Sequence, residues 1–333
     1  MNDGIYIYGV IKANSPQEFG EIGIGDNGNS HVRTIGFKDI AAVVSNSPLM
    51  VYDSLAKEKV VKDLAVHQLV TEKVMERFAI VPVKFGTMAE TSDEVIHYLE
   101  EGYALLCHEL SQVEGKIELN VAAWWELPKI LAVISHQNDE IREKQQNLAS
   151  KGEQADIYEK VLFGQLIAKA LQEEKARYQQ LIMQTLAQGM ENVCLHHMAS
   201  DEIIFSAAFL LEKQREGSFH DTVQTLNQTL EDTVNFRVVG PLPPYSFSTI
   251  LFEKLTPESI EAAKEVLGLT GEVTDKTLRD AYLQLAKKYH PDKNKGEETP
   301  EFQQIHTAYT TLKSFVENGP IRVEVYKWQK DVS

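Results

Sequence analysis

The sequence is poor in cysteine, in positive charge, in long apolar runs and in catalytic fingerprints. Its 333 residues include two cysteines, Cys107 and Cys194, each in an apolar context. A disulfide framework is thereby excluded, and buried thiols in a reducing cytoplasm fit the usage. Lys and Arg number 33 against 49 Asp and Glu, a formal net charge of −16. General nucleic-acid binding needs a positive surface against phosphate, so that class is excluded, and the acidity favours solubility instead. No apolar run approaches the roughly 18 residues of a membrane helix, so no membrane partner is expected. Met1-Asn2-Asp3-Gly4 carries no basic residue and leads into a strand pattern, which predicts no leader peptide. No G-x-S-x-G, phosphate loop or dinucleotide fingerprint occurs, and the glycines from Gly20 to Gly28 come without a Lys-Ser/Thr. With no grouping of acid, base and nucleophile, the chain reads as non-enzymatic and without a cofactor.

What is present is a mixed pattern of strands and helices. Ile5 to Ile11 is β-branched and aromatic, hence a strand, and a Gly/Asn-rich stretch from Ser15 to Ser30 reads as a loop. Val32–Ile35 and Ile40–Val44 follow as short strands. Leu55, Val60, Leu64, Leu69, Val74 and Phe78 recur at helical spacing, so Ser54 to Phe78 is predicted helical. A strand at Ala79–Phe85, a helix at Ser92–Gln112 and a strand at Ile117–Trp125 complete a ferredoxin-like α+β layer. A helical stretch then runs from Pro128 to about Cys194, with a break near Ser150–Gln154. A strand (Glu202–Leu211), a helix (Phe219–Thr233) and a strand (Phe236–Val239) form a second α+β layer. The run from Gly240 to Phe247 contains three prolines, which fix φ and remove amide donors, so it is expected at an edge or surface.

Several polar groupings invite chemical readings and fail on spacing. Cys194, His196, His197 and Asp201 hint at a metal, but no second cluster completes four ligands, and a helix end is the simpler reading. Asp63 with His67, and His97 with Glu101, read as surface pairs four residues apart on helices. Trp124 and Trp125 fall on opposite faces of a strand, and core packing is expected for both.

The last quarter is a helical module. Thr256-Pro257-Glu258 and Thr299-Pro300-Glu301 each combine an N-cap, a first-turn proline and a first-turn acid. Between them Leu278, Tyr282, Leu285, Ala286 and Tyr289 form a helical stripe, which Pro291 should end at His290. The run YHPDKN therefore presents His290 and Asp292 around a stiff proline, as a docking surface with neither the pocket nor the partner that a general base needs. From Glu265-Val266-Leu267-Gly268 through AYLQLAKKYHPDKN to FQQIHTAYTTL, this segment resembles the J-domain of DnaJ-type co-chaperones. The resemblance implies that His290, Pro291 and Asp292 engage a DnaK-type chaperone, with Lys287 and Lys288 on the steering basic face. Asp280 and Gln284 interrupt that face, and Ala263 and Lys264 stand where aromatic residues are usual. After Gly319-Pro320, alternation of Ile321, Val323 and Val325 with Arg322, Glu324 and Tyr326 predicts a short strand that must pair somewhere.

YIYGVI at the start, HQLVTEKVMERFAIVPVKFGTM and VVGPLPPYSF together resemble the gas vesicle protein L/F family, over roughly Gly4 to Phe252. Leu242 stands where the family commonly has tryptophan. The resemblance implies two α+β subdomains joined by helices, no catalysis, and association with the gas vesicle shell protein or other accessory proteins. It makes Lys84, Phe85, Pro243, Pro244, Tyr245 and Phe247 the candidate partner-binding residues. The expected class is α+β, as two ferredoxin-like subdomains followed by a small all-α hairpin. The expected segments are 1–126, an N-terminal α+β domain; 127–254, helices with a second α+β subdomain; 255–318, the J-like module; and 319–333, a tail with a docking strand. The expected role is an assembly factor in the cytoplasm or on the gas vesicle, with a minor wall component as the alternative.

Overall fold

Tyr, Ile and Val alternate through β1 (Asp3–Lys12), and its residues from Gly4 to Ile11 are buried, as a strand covered on both faces must be. The computed structural model describes residues 3–25, 29–50, 52, 55–154, 156–190, 192–198, 200–230, 233–289 and 299–327. β2 (Glu18–Ile24), β3 (Asn29–Phe37) and β4 (Ile40–Pro48) follow β1, and β4 returns to pair with it. β5 (Ile80–Pro82) and β6 (Met88–Ala89) pair with the other edge of β1, giving the antiparallel order β2-β3-β4-β1-β5. α1 (Lys57–Met75) packs Val70 and Val74 on the face carrying Tyr6, Tyr8 and Ile11. α2 (Ser92–Glu101) and α3 (Tyr103–Val113), two helices where the sequence suggests one, pack Leu99, Leu106 and Leu110 on the face carrying Ile5, Ile7 and Val10.

β2 lies where the sequence reads as a loop. Its glycines serve pairing: Gly20 and Gly23 sit at register shifts against β3, and Gly20 has φ +90°. A side chain on Gly23 would come within 2.8 Å of Ser45 and Val32, so the strand needs its glycine for close approach.

All the helices and strands of the second compact unit come from one stretch of chain, residues 115–247. It contains β7 (Lys116–Trp125), α4 (Leu127–Gln137), α5 (Asp139–Lys151), α6 (Ile157–Leu186), β8 (Asn192–Leu195), β9 (Ile203–Glu212), α7 (Glu216–Leu230) and β10 (Val234–Leu242). The antiparallel order β10-β7-β9-β8 gives β-α-β-β-α-β connectivity, the ferredoxin-like arrangement. The sequence reading placed Ile117–Trp125 with the N-terminal sheet; it is instead a central strand here, between β9 and β10. Periodicity fixes that a strand exists but not which strand it pairs with. Trp125 is buried and Trp124 half-buried, and α5 buries only Ile141.

The first unit is discontinuous, joining residues 1–114 to 248–326. β11 (Thr249–Lys254) leads into α8 (Pro257–Leu267), α9 (Asp275–Tyr289) and α10 (Pro300–Asn318), and β12 (Ile321–Tyr326) follows. β12 pairs antiparallel with β11 along all six residues, so the helical module is bracketed at both ends. β11 itself touches the main sheet: Val83 bridges Ile250, and the Lys84 amide donates to the Ile250 carbonyl at 2.8 Å. The α+β class expected from the sequence is the class of the structure. In the first sheet β2, β3 and β4 form a meander but β1 lies between β4 and β5, an order different from that of the second sheet. No helix among the described residues is long and apolar enough to cross a membrane.

Candidate interaction surfaces

The helical module is built as its caps predict. Thr256 Oγ1 accepts from the Ser259 amide and Thr299 Oγ1 from the Phe302 amide, both at 3.2 Å, and Gly268 ends α8 at φ +66°. Ile260, Leu267, Leu278, Ile305 and Leu312 form its core, and Tyr282 stacks on Tyr309 at 4.2 Å. Lys287 and Lys288 are exposed on the last turn of α9, where cations complement the helix dipole. Lys288 Nζ lies 4.9 Å over the Tyr289 ring. His290, Pro291 and Asp292 lie outside the described residues.

Lys84 and Phe85 part company in the structure. Lys84 is exposed, whereas Phe85 turns inward against Tyr52, with ring centroids 4.6 Å apart, and against Tyr6 and His67. Phe85 therefore anchors its loop. The following Gly86, at φ +85°, sends its amide to Tyr6 Oη at 3.0 Å. Tyr6 Oη also lies 3.0 Å from His67 Nδ1, and Tyr8 Oη lies 2.7 Å from Ser45 Oγ. Tyr52 Oη donates to Asp63 Oδ2 at 2.9 Å, and Lys59 pairs with the same carboxylate. Asp63 and His67 are thus not the surface pair expected from their spacing; both are buried on the inner face of α1. Burial pulls His67 down to about 4, so the ring is neutral at physiological pH, and pushes Tyr8 up to about 12.

The Gly240–Phe247 run begins on the edge strand β10, with Gly240 and Pro241 exposed as an edge position requires, and turns inward from Leu242. Leu242, Pro243 and Pro244 are buried, while Tyr245 and Phe247 are half-buried. Gly240, at φ +143°, approaches β7 so closely that a Cβ would meet Leu119 at 2.7 Å. Glu118 on β7, 1% exposed, accepts from the Ser246 amide at 2.7 Å and the Ser246 hydroxyl at 2.9 Å. Burial pushes its carboxyl up to about 7, against the lowering effect of those bonds. His196 Nε2 lies 3.2 Å from Ser246 Oγ, and burial lowers that imidazole. Cys194 sits in β8 and not at a helix end, its thiol pushed up by burial and by Glu118. Among the described residues no group of three or more His, Cys, Asp or Glu could hold a metal ion. The sequence reading missed Glu118, because in the alternating run Ile117–Val121 a carboxylate reads as an ordinary outward-facing residue.

Residues 4–249 match the profile of the Gas vesicle synthesis protein GvpL/GvpF family. The chain belongs to this family. Residues 265–316 match the DnaJ domain. Gas vesicle protein F of Streptomyces sp. (strain CB03234) is 29% identical over 246 residues, covering 73% of this chain and 98% of that one. Gas vesicle protein F of Microcystis aeruginosa (strain PCC 7806) is 26% identical over 258 residues, 75% of this chain and all of that one. Over the module, Chaperone protein DnaJ of Deinococcus proteolyticus is 46% identical across 50 residues, 14% of this chain and 16% of that one. The crystal structure of the gas vesicle protein GvpF from Anabaena sp. PCC7120 superposes with a TM-score of 0.61 at 20% identity, covering 73% of this chain and 97% of that one. That likeness shows the shared fold of the body, to which β11, the helical module and β12 are joined.

Proposed function

We propose that this chain is a non-enzymatic assembly factor for gas vesicles. In this reading its α+β body binds the shell protein or other gas vesicle accessory proteins, and its HPD loop recruits a DnaK-type chaperone. The observation that carries the reading is a helical module with capped helices and its own core, in one chain with the GvpL/GvpF body. Unassembled apolar shell subunits are an aggregation hazard, which is the kind of client a DnaK-type chaperone handles. A covalent tether raises the local concentration of the module near anything held by the body to about the millimolar range. Lys287 and Lys288 would steer the encounter, raising the on-rate more than the affinity.

Replacing His290 by Gln tests the chaperone arm. The expected outcome is loss of stimulated ATP hydrolysis by the DnaK-type partner, together with a several-fold fall in vesicle yield. Normal yield would defeat the co-chaperone reading. Retention of the protein in washed, intact vesicles would turn the assignment toward a minor wall component.

A further inference from the structure

The six-residue pairing of β11 with β12 leaves the other edge of β11 partly open. Lys84 donates to the Ile250 carbonyl on that side. Because strand residues alternate, the amide and carbonyl groups of Phe252 and Lys254 point the same way. No hydrogen bond among the described residues takes them up. An open edge with free backbone groups is a template for an added strand.

Side chains make a trough along this edge. A groove of about 440 Å³ runs between Phe85, Met88 and Ala89 on one side and Leu251 to Lys254 on the other. A second, of about 470 Å³, continues past Ile96 of α2 to Pro320 and Ile321. The two share Glu90, Glu94 and Lys254, so they form one path. Tyr98 stacked on Phe252 at 5.0 Å gives it an apolar floor, and Leu49, 40% exposed, is an unfilled apolar contact at its end. The rim is acidic: Glu90, Asp93, Glu94, Glu100 and Glu253 are lined up against Lys84, Lys254 and His97, whose Nδ1 lies 3.8 Å from Glu100. Of these, Lys254 lies between Glu94 at 3.3 Å and Glu90 at 3.8 Å, and Glu253 is held by Arg322 at 3.3 Å. The charge left to meet an incoming chain is negative at Glu90, Asp93, Glu94 and Glu100.

We propose that this trough is a docking site for an extended segment of another protein, carrying basic and apolar residues in alternation, which adds as a short strand to β11. The backbone edge supplies affinity, the Tyr98–Phe252 floor takes the apolar side chains, and the α2 carboxylates take the basic ones. A helix would leave the Phe252 and Lys254 backbone groups unmet, and an acidic segment would meet like charge. The site lies where both ends of the helical module join the sheet, so a bound segment would sit at the module's base. The inference stands apart from the gas vesicle role, because it rests only on the edge, the trough and the charges.

The test uses the full chain and end-capped, fluorescein-labelled decapeptides: alternating Lys-Val, alternating Glu-Val, and Lys-Val with alternate backbone nitrogens methylated. Fluorescence anisotropy at low salt should show the Lys-Val peptide binding at least tenfold more tightly than either of the others. The double variant Glu90→Lys/Asp93→Lys, at exposed positions, should weaken it at least tenfold without moving the thermal unfolding midpoint. A benzophenone on the Lys-Val peptide should crosslink within residues 84–98 or 249–254. Equal binding of the methylated peptide would mean charge attraction without strand addition and would overturn the proposal. So would crosslinks confined to other segments, or no binding by the Lys-Val peptide.

Discussion

A carboxylate on the central strand of a sheet is stripped of most of its hydration, and Glu118 shows the consequence. Its ordinary value of 4.5 rises to about 7 in the fold, even though two Ser246 donors favour the charged form. Folding therefore prefers the protonated acid. That contribution to stability is complete below 4.5 and is lost as pH rises through about 7, reaching roughly 3 kcal/mol by about pH 8. Glu118→Gln keeps the shape and cannot titrate. Urea unfolding should then show the variant gaining on the native chain from about pH 5 to about pH 8. Tryptophan fluorescence reports on the right unit, since Trp124 and Trp125 lie on β7 itself. A constant difference between the two proteins across that range would contradict the assignment. None of this was visible in the sequence, where Glu118 is one carboxylate in an alternating strand. Its partner Ser246 lies 128 residues away, and only the closing of the β10-to-β11 segment over β7 brings them together.

Elements were legible in proportion to how locally they are determined. The helices of the C-terminal module could be read from their caps, because Thr256 and Thr299 act on amides three residues away. α1 was found by its spacing, but only part of its expected stripe faces inward: Val74 is buried, Leu64 and Leu69 are about half exposed, and Asp63 and His67 are buried instead. Helical periodicity locates a stripe, and the aromatic hydroxyls of β1 decide that the polar stripe goes inward. β2 was hidden because its glycines answer to neighbouring strands, and the partner of β12 could not be named because pairing is non-local. The pairing can be checked directly. A chain ending at Gly319 lacks β12, so the β11 residues whose backbone groups face it, Leu251 and Glu253, lose their partners. Their amides should exchange with deuterium at least tenfold faster, while Val43 and Val44 of β4, deep in the main sheet, stay protected. Unchanged protection at Leu251 would mean that β12 does not hold β11.

At the scale of the molecule, the two units differ in how the chain supplies them. Residues 115–247 carry a whole sheet, its helices and a core from Ile117 to Val234 without a break. The first unit leaves after residue 114 and returns at 248, bringing Ile250, Phe252 and Ile321 into the core beneath α2 and α3. Burying one large apolar side chain contributes about 1.5–3 kcal/mol, so these three account for roughly 5–9 kcal/mol. The whole stability of a domain is about 5–15 kcal/mol. Residues 1–114 alone should therefore fail to hold a stable fold, whereas 115–247 alone should unfold cooperatively in urea with dispersed amide resonances. Supplying 248–326 in trans should restore a cooperative transition to 1–114, since those residues return the missing core. If 1–114 folded stably by itself, the returning strands would be an appendage to a finished domain. The helical module would then hang from the sheet and not complete it.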